Sequence, residues 1–413
     1  MFTHVTNGRD KGGDGAFHVG GAATIHLVVD DFAAKRVDTP GRVSERNSID
    51  MAGEAQRRLA VAAADPRDEI GAVRSKGMQR SLQSGTAKDF LQMLNAAQLI
   101  PGRIDRVKGN EFVSSAALAG MEVAKRYHIP YVNTNGWSDA IREKGYAEVF
   151  NPGNYNNRVG DAVAASMKSL GAKRVVAFAE NTDYGIGLAK VIGAKLKEQA
   201  PQIDYKFETL DRASKDFLPA ILPLRANPPD VVIDIMLPPA SYIMMNQVYE
   251  QGIAPSATTW FYDASGLADY PDFWQNVKEA GKGLLVFGLY HPKMSQPPLG
   301  KQVGDAYTAK TKSAPNRLLF QAADSLLVIA DAAKRAKSTE PDALIKALEE
   351  TKLLGTRGEL TFSKEAGYKN HQWIDVPYVT FQLTEVNQKV GDSVLVEEPG
   401  KPLDPSKLWK PTK

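Results

Sequence analysis

The sequence predicts an α/β protein of two domains built on open, largely parallel sheets. Three observations carry that prediction: strand-like runs alternate with helix-like runs, the strand runs are almost wholly apolar, and the chain is 413 residues long. A chain of that length exceeds what one hydrophobic core ordinarily serves, so two domains of ordinary size are expected.

From Arg174 onward the alternation is regular. RVVAFAE is a short β-branched run, and GIGLAKVIGAKLKEQA after it sets Leu188, Val191, Ile192 and Leu196 on one helical face. IDYKFETL, KDFLPAILPLRAN, VVIDIML, SYIMMNQVYEQG and TTWFYDAS follow in order. Strands recur about every 28 residues, the length a parallel crossover requires. A run such as VVIDIM, apolar at nearly every position, suits a strand covered by helices on both faces. Pro219 and Pro223 fall inside one helical segment, which predicts a short or kinked helix there.

An earlier stretch has the same grammar: RIDRVKG as strand, SSAALAGMEVAKRYH as a helix with Leu118, Met121, Val123 and Ala124 in register, then IPYV as strand. Near the end, NRLLFQAADSLLVIADAAKRA and DALIKALEETK read as amphipathic helices, and Gly355 to Asp375 as a turn-rich hairpin region. The first 100 residues are less decisive. GGAATIHLVVDDFAAK fits a strand or a helix, and the glycines of DKGGDGAFHVGG follow no convincing strand, so a flexible loop is favoured over a phosphate cradle.

Composition excludes several classes of function. Lys and Arg total 51 against 48 Asp and Glu, a net charge of +3, too balanced for nucleic acid or an anionic membrane to be the main partner. There is no cysteine, which removes disulfides, thiolate metal sites and cysteine nucleophiles together. The six histidines, His4, His18, His26, His128, His291 and His371, are scattered without metal-ligand spacing. No G-x-S-x-G elbow and no GK[ST] phosphate loop occurs. No catalytic residue, metal or cofactor is therefore expected. The opening MFTHVTNGRDKGG lacks the pattern of a secretory signal, and no run is long and apolar enough to span a bilayer.

In open parallel sheets, ligands sit beyond the C-terminal ends of strands. Ser114 and Ser115 open a helix after RIDRVKG, where hydroxyls and free backbone N–H groups hold a carboxylate or amide, or one serine simply caps the helix. VNTNGWSD carries Asn135, Trp137 and Ser138, polar groups beside an aromatic that either desolvates a ligand or packs in a core. ENTDYGIG offers Tyr184 at a helix start, Gly185 for the turn, and Asp183 as cap or contact. Asp263, in FYDAS, either pairs with a ligand ammonium or caps its loop.

These segments together carry a family resemblance. RVVAFAENTDYGIGLAKVIGAKL, PPDVVIDIMLPPASYIMMNQVYEQGI, GKGLLVFGLYHP and GELTFSKEAGYKNHQW fall in the order found in branched-chain amino acid and amide ABC-transporter substrate-binding proteins, over Ile104 to Trp373. The resemblance implies a type I periplasmic binding fold: two Rossmann-like lobes joined by three hinge crossovers, here residues 1–155 plus 288–375 and 156–287 plus 376–413. It implies capture of a small amino acid, amide, urea or aromatic acid, delivery to ABC permease subunits, a periplasmic or other extracytoplasmic location and a monomeric state. By position it implicates Ser114, Ser115, Asn135, Trp137, Ser138 and Tyr184 as ligand contacts, and Asp263 for a ligand amine. Leu237 and Pro238 stand where several amino acid binders have a polar aromatic, so the wall is more apolar here. The alternatives are a cytoplasmic ligand sensor of the same fold and, further off, an α/β enzyme.

Overall fold

The computed structural model describes residues 114–411 and the backbone of two short strands, β1 (Phe17–Val19) and β2 (Ala23–Ile25), which pair antiparallel as a hairpin. Within GGAATIHLVVDDFAAK the strand covers Ala23–Ile25, and the residues from 26 onward, where the strand and helix alternatives differ, lie outside the described residues. The first-strand expectation for RIDRVKG lies outside the described residues. All other elements belong to one compact unit, Gly109–Ala336 with Glu340–Lys413.

That unit begins with α1 (Ser114–Arg126), followed by β3 (Tyr131–Val132) and β4 (Val149–Phe150), a parallel pair. Ser114, Ala117, Met121 and Ala124 are buried along one side of α1, the spacing of a single helical face. Val123, expected on that face, is 46% exposed, because it lies about 100° around the helix from Ala124 and about 160° from Met121. A small core of Ala117, Met121, Ala124, Tyr131, Ile141 and Val149 joins helix and strands, each large apolar side chain contributing about 1.5–3 kcal/mol of burial.

The chain then runs through α2 (Asn156–Ser169), β5 (Arg174–Glu180), α3 (Asp183–Gln199), β6 (Asp204–Leu210), β7 (Val231–Ile235), α4 (Ala240–Glu250), β8 (Trp260–Asp263) and β9 (Leu285–Gly288). After these come α5 (Pro298–Thr311), α6 (Arg317–Ala336), α7 (Pro341–Glu349), the antiparallel hairpin of β10 (Lys352–Leu354) and β11 (Glu359–Thr361), and finally β12 (Val379–Gln382) and β13 (Val394–Glu397). Seven strands form one sheet in the order β13-β12-β9-β8-β7-β5-β6. β5 to β9 run parallel, and β12 and β13 are added antiparallel at one edge.

The apolar runs behave as their composition requires. β7 and β9 are buried at every position, and β5 at all but its first, since helices cover both faces. β6 lies at the sheet edge and alternates poorly, with most of its residues exposed. The proline-bearing segment forms four α-helical residues, Leu218–Ile221, and then a 3₁₀ turn, Leu222–Arg225. The main core joins Phe178, Val232, Met236, Met244, Met245, Phe261, Val286, Phe320 and Phe381. Among the described residues no helix is long and apolar enough to cross a membrane.

Candidate functional site

The C-terminal ends of β3, β5, β7 and β8 and the N-termini of α1 and α6 meet around a partly open cavity, whose empty space is about 290 Å³ when the part open to solvent is included. Ser114, Asn135, Trp137, Tyr184, Leu237, Ser265, Tyr270 and Arg317 line it.

The loop after β3 is shaped by its own side chains. Asn133 Oδ1 accepts from the Gly136 N–H at 2.9 Å, and its Nδ2 donates to the Gly136 carbonyl at 2.8 Å and to Asn151 Oδ1 at 2.9 Å. A Cβ on Gly136 would lie 2.8 Å from both Ala117 Cβ and Ile141 Cδ1, so the loop seats against α1 only with glycine there. Behind it the buried Arg142 donates through Nη1 to the Ser138 carbonyl at 2.7 Å and through Nη2 to those of Gly136 at 3.2 Å and Asn154 at 3.0 Å. Burial lowers the Arg142 pKa to about 10, and its Nε donates to Gln372.

The Ser114 hydroxyl oxygen accepts from the backbone N–H groups of Trp137 at 3.1 Å and Ser138 at 3.0 Å. Both lone pairs are then committed, and the hydroxyl proton is left to donate. Trp137 donates from Nε1 to Asn135 Oδ1 at 3.2 Å and meets Tyr184 and Phe287 edge-on, with ring centroids 6.1 and 6.0 Å away. The packing and lining readings of this tryptophan thus coexist in one position.

Tyr184 is buried at the start of α3, its hydroxyl 2.9 Å from Ser265 Oγ, and burial holds its pKa well above the ordinary tyrosine range. Thr182, not Asp183, caps that helix, its side chain accepting from the Gly185 N–H at 3.2 Å; Asp183 is exposed. Gly185 is required by close approach, not by a left-handed turn: a Cβ would lie 2.3 Å from the Glu180 carbonyl oxygen.

Of the residues predicted from sequence, the fold brings Ser114, Asn135, Trp137 and Tyr184 together on the cavity. Ser138 is buried and does not line the cavity; its backbone N–H donates to Ser114 Oγ. Ser115 is exposed, since the next helical residue turns about 100° away from Ser114. Asp263 is fully buried outside the lining, its two oxygens accepting from the N–H groups of Ser265 at 2.7 Å and Leu267 at 2.6 Å. Those bonds hold the loop that presents Ser265. Burial raises the Asp263 pKa to about 7.

Sequence reasoning missed Arg317, Ser265 and Tyr270. Arg317 is the first residue of α6, its Nε 2.8 Å from Asp269 Oδ2, its Nη1 donating to Asn135 Oδ1 at 3.0 Å, its guanidinium 5.3 Å above the Trp137 ring. A cation at the first position of a helix opposes the helix dipole, and that mismatch is the signal available in the sequence. Among the described residues no group of His, Cys, Asp and Glu could hold a metal ion.

The periplasmic binding protein family model matches residues 110–384, more than half of the chain, and the chain belongs to that family. Solved structures agree on the fold. The leucine-binding protein LivK of Thermotoga maritima is 21% identical, with TM-score 0.61 over 82% of this chain and 95% of that one. A benzoate complex of an ABC-transporter solute-binding protein from R. palustris is 16% identical, with TM-score 0.58 over 82% and 94%. The isoleucine complex of the branched-chain amino acid binding protein LivJ of Streptococcus pneumoniae is 18% identical, with TM-score 0.58 over 79% and 95%. No curated protein matches the chain. The fold is thus the type I periplasmic binding fold, that of small-molecule-binding proteins of ABC transporters.

Proposed function

We propose that this chain is an extracytoplasmic solute-binding protein that captures a small amino acid, amide or related carboxylate and delivers it, unaltered, to the permease subunits of an ABC importer. The two lobes are residues 1–155 plus 288–375 and 156–287 plus 376–413, and the contacts are drawn from Ser114, Asn135, Trp137 and Tyr184. One observation carries the reading: the cavity is lined equally from both sets of residues. Ser114, Asn135, Trp137 and Arg317 belong to the first, and Tyr184, Leu237, Ser265 and Tyr270 to the second. A ligand touching both sets favours the closed arrangement by the difference of its affinities for closed and open states.

The lining sets hydroxyls, an amide and a guanidinium beside the aromatic rings of Trp137, Tyr184 and Tyr270, which suits binding and orientation of a small polar molecule. The neighbours named for leucine, and those complexed with isoleucine and benzoate, set the range of ligands to try. The test is a thermal-shift screen of the purified chain against amino acids, amides, urea and aromatic carboxylates. A ligand that binds only the folded form raises the midpoint, by about 2.7 kcal/mol of stabilisation at 100 times Kd. A shift confined to one chemical class supports the reading, and no shift with any class counts against it.

A further inference from the structure

We propose that the captured ligand is a carboxylate bearing no ammonium group, taken by the guanidinium of Arg317 and the Ser114 hydroxyl, with its apolar body against Trp137, Tyr184 and Leu237. This rests on the solute-binding reading above.

The argument begins with the geometry of Arg317. Its side chain is only 2% exposed, and it is oriented from three directions: Nε on Asp269 Oδ2 at 2.8 Å, Nη1 on Asn135 Oδ1 at 3.0 Å and Nη1 again on Gln321 Oε1 at 3.4 Å. Trp137 lies beneath it at 5.3 Å, and Gly266 leaves room for it, since a Cβ there would approach its Nε to 3.1 Å. Among the described residues none accepts from Nη2, although the residue lines the cavity. A guanidinium has five N–H donors in a planar fork, and an Nη2 with no protein acceptor is a preset carboxylate donor. The Ser114 hydroxyl, whose oxygen accepts two backbone bonds and whose proton has no acceptor among the described residues, adds a second donor on the same cavity.

The complement of an ammonium is missing from this cavity. Among the described residues no carboxylate lines it. Asp269 is held by Arg317, Asp263 by the N–H groups of Ser265 and Leu267, and Glu180 by Thr182 Oγ1 at 2.7 Å and the Leu237 N–H at 2.9 Å. An α-amino group would enter a low-dielectric wall of Trp137, Tyr184 and Leu237 with no charged acceptor, at the cost of its hydration. The site therefore selects against zwitterions, and the polar-aromatic position filled by Leu237 agrees with an apolar ligand body.

Isothermal titration calorimetry of the intact chain with matched ligands tests this: 4-methylpentanoate, 4-methylpentanamide and L-leucine, then benzoate and benzamide. In at least one series the carboxylate is expected to bind at least 30-fold more tightly than its amide and its amino acid, and Arg317→Met to remove that preference; Arg317→Lys, which keeps the charge but not the fork, should retain part of it. Tighter binding of leucine than of 4-methylpentanoate, or equal binding of acid and amide, overturns the inference and leaves the solute-binding reading standing. Absence of binding across both series, and across the wider screen, removes both. The ligand comparison is made on the unsubstituted chain, so the outcome does not depend on the folding of the variants.

Discussion

Arg317 and Asp269 form an ion pair with Nε 2.8 Å from Oδ2 and side chains only 2% and 8% exposed. Under the proposed division into lobes Arg317 falls in the first and Asp269 in the second, so the pair would link them.

Breaking such a pair from one side leaves an uncompensated buried charge, at a cost of about 3–5 kcal/mol. Asp269→Asn and Arg317→Met are each expected to lower stability by about 3 kcal/mol in urea unfolding. The double variant should lose less than the sum, because neither charge is then left alone. Additive losses would show that the two groups do not interact.

Arg142 acts through the loop it supports. Its contacts to the carbonyls of Gly136, Ser138 and Asn154 hold the backbone that carries Asn135 and Trp137. Arg142→Met should reduce ligand affinity by about tenfold as well as stability by about 3 kcal/mol, because the carbonyls it serves are buried. Calorimetry at a temperature where the variant remains folded separates the two effects, and unchanged affinity would confine Arg142 to stability.

Gly185→Ala is expected to destabilise by about 2 kcal/mol, since the new Cβ would overlap the Glu180 carbonyl, 2.3 Å away, and that atom is backbone. An unchanged thermal midpoint would contradict the close approach of α3 to the end of β5.

Buried carboxylates set the pH response. Glu397 accepts from Ser166 Oγ at 3.3 Å and from Thr380, with Tyr378 and Arg158 also facing it, and burial raises its pKa to about 7. The folded chain keeps a proton that the unfolded chain releases near 4.5, so this contribution is complete below that pH and is lost as pH rises towards 7. Asp263, raised to about 7, and Asp139, raised to about 6, act in the same direction. His291, lowered to about 4 by burial, acts oppositely, favouring the unfolded chain as pH falls through 6.5. Urea midpoints from pH 4.5 to 7.5 should decline less steeply in Glu397→Gln, and an unaltered slope would contradict the assignment.

The sheet was legible because burial on both faces leaves a plain record, as in VVIDIM and RVVAFAE. Helix starts were legible too, and Ser114 and Tyr184 followed from them. Arg317 was not, because its meaning depends on Asp269 and Asn135, which lie 48 and 182 residues away along the chain. Asp263 shows a different limit. A carboxylate ending a strand reads alike whether it faces a ligand or holds its own loop, and only the bonds from Ser265 and Leu267 distinguish the geometries. Val123 is exposed because its spacing from Met121 and Ala124 takes it off the stripe of Ser114, Ala117, Met121 and Ala124, and an apolar residue type alone did not reveal that.

The most direct measurement for the central claim is calorimetric titration of the intact chain with the ligand that gives the largest thermal shift, followed by recovery and mass analysis of that ligand. Saturable one-to-one binding with the ligand returned unaltered is the predicted result. No saturable heat with any amino acid, amide, urea or carboxylate, or recovery of a converted product, would contradict it.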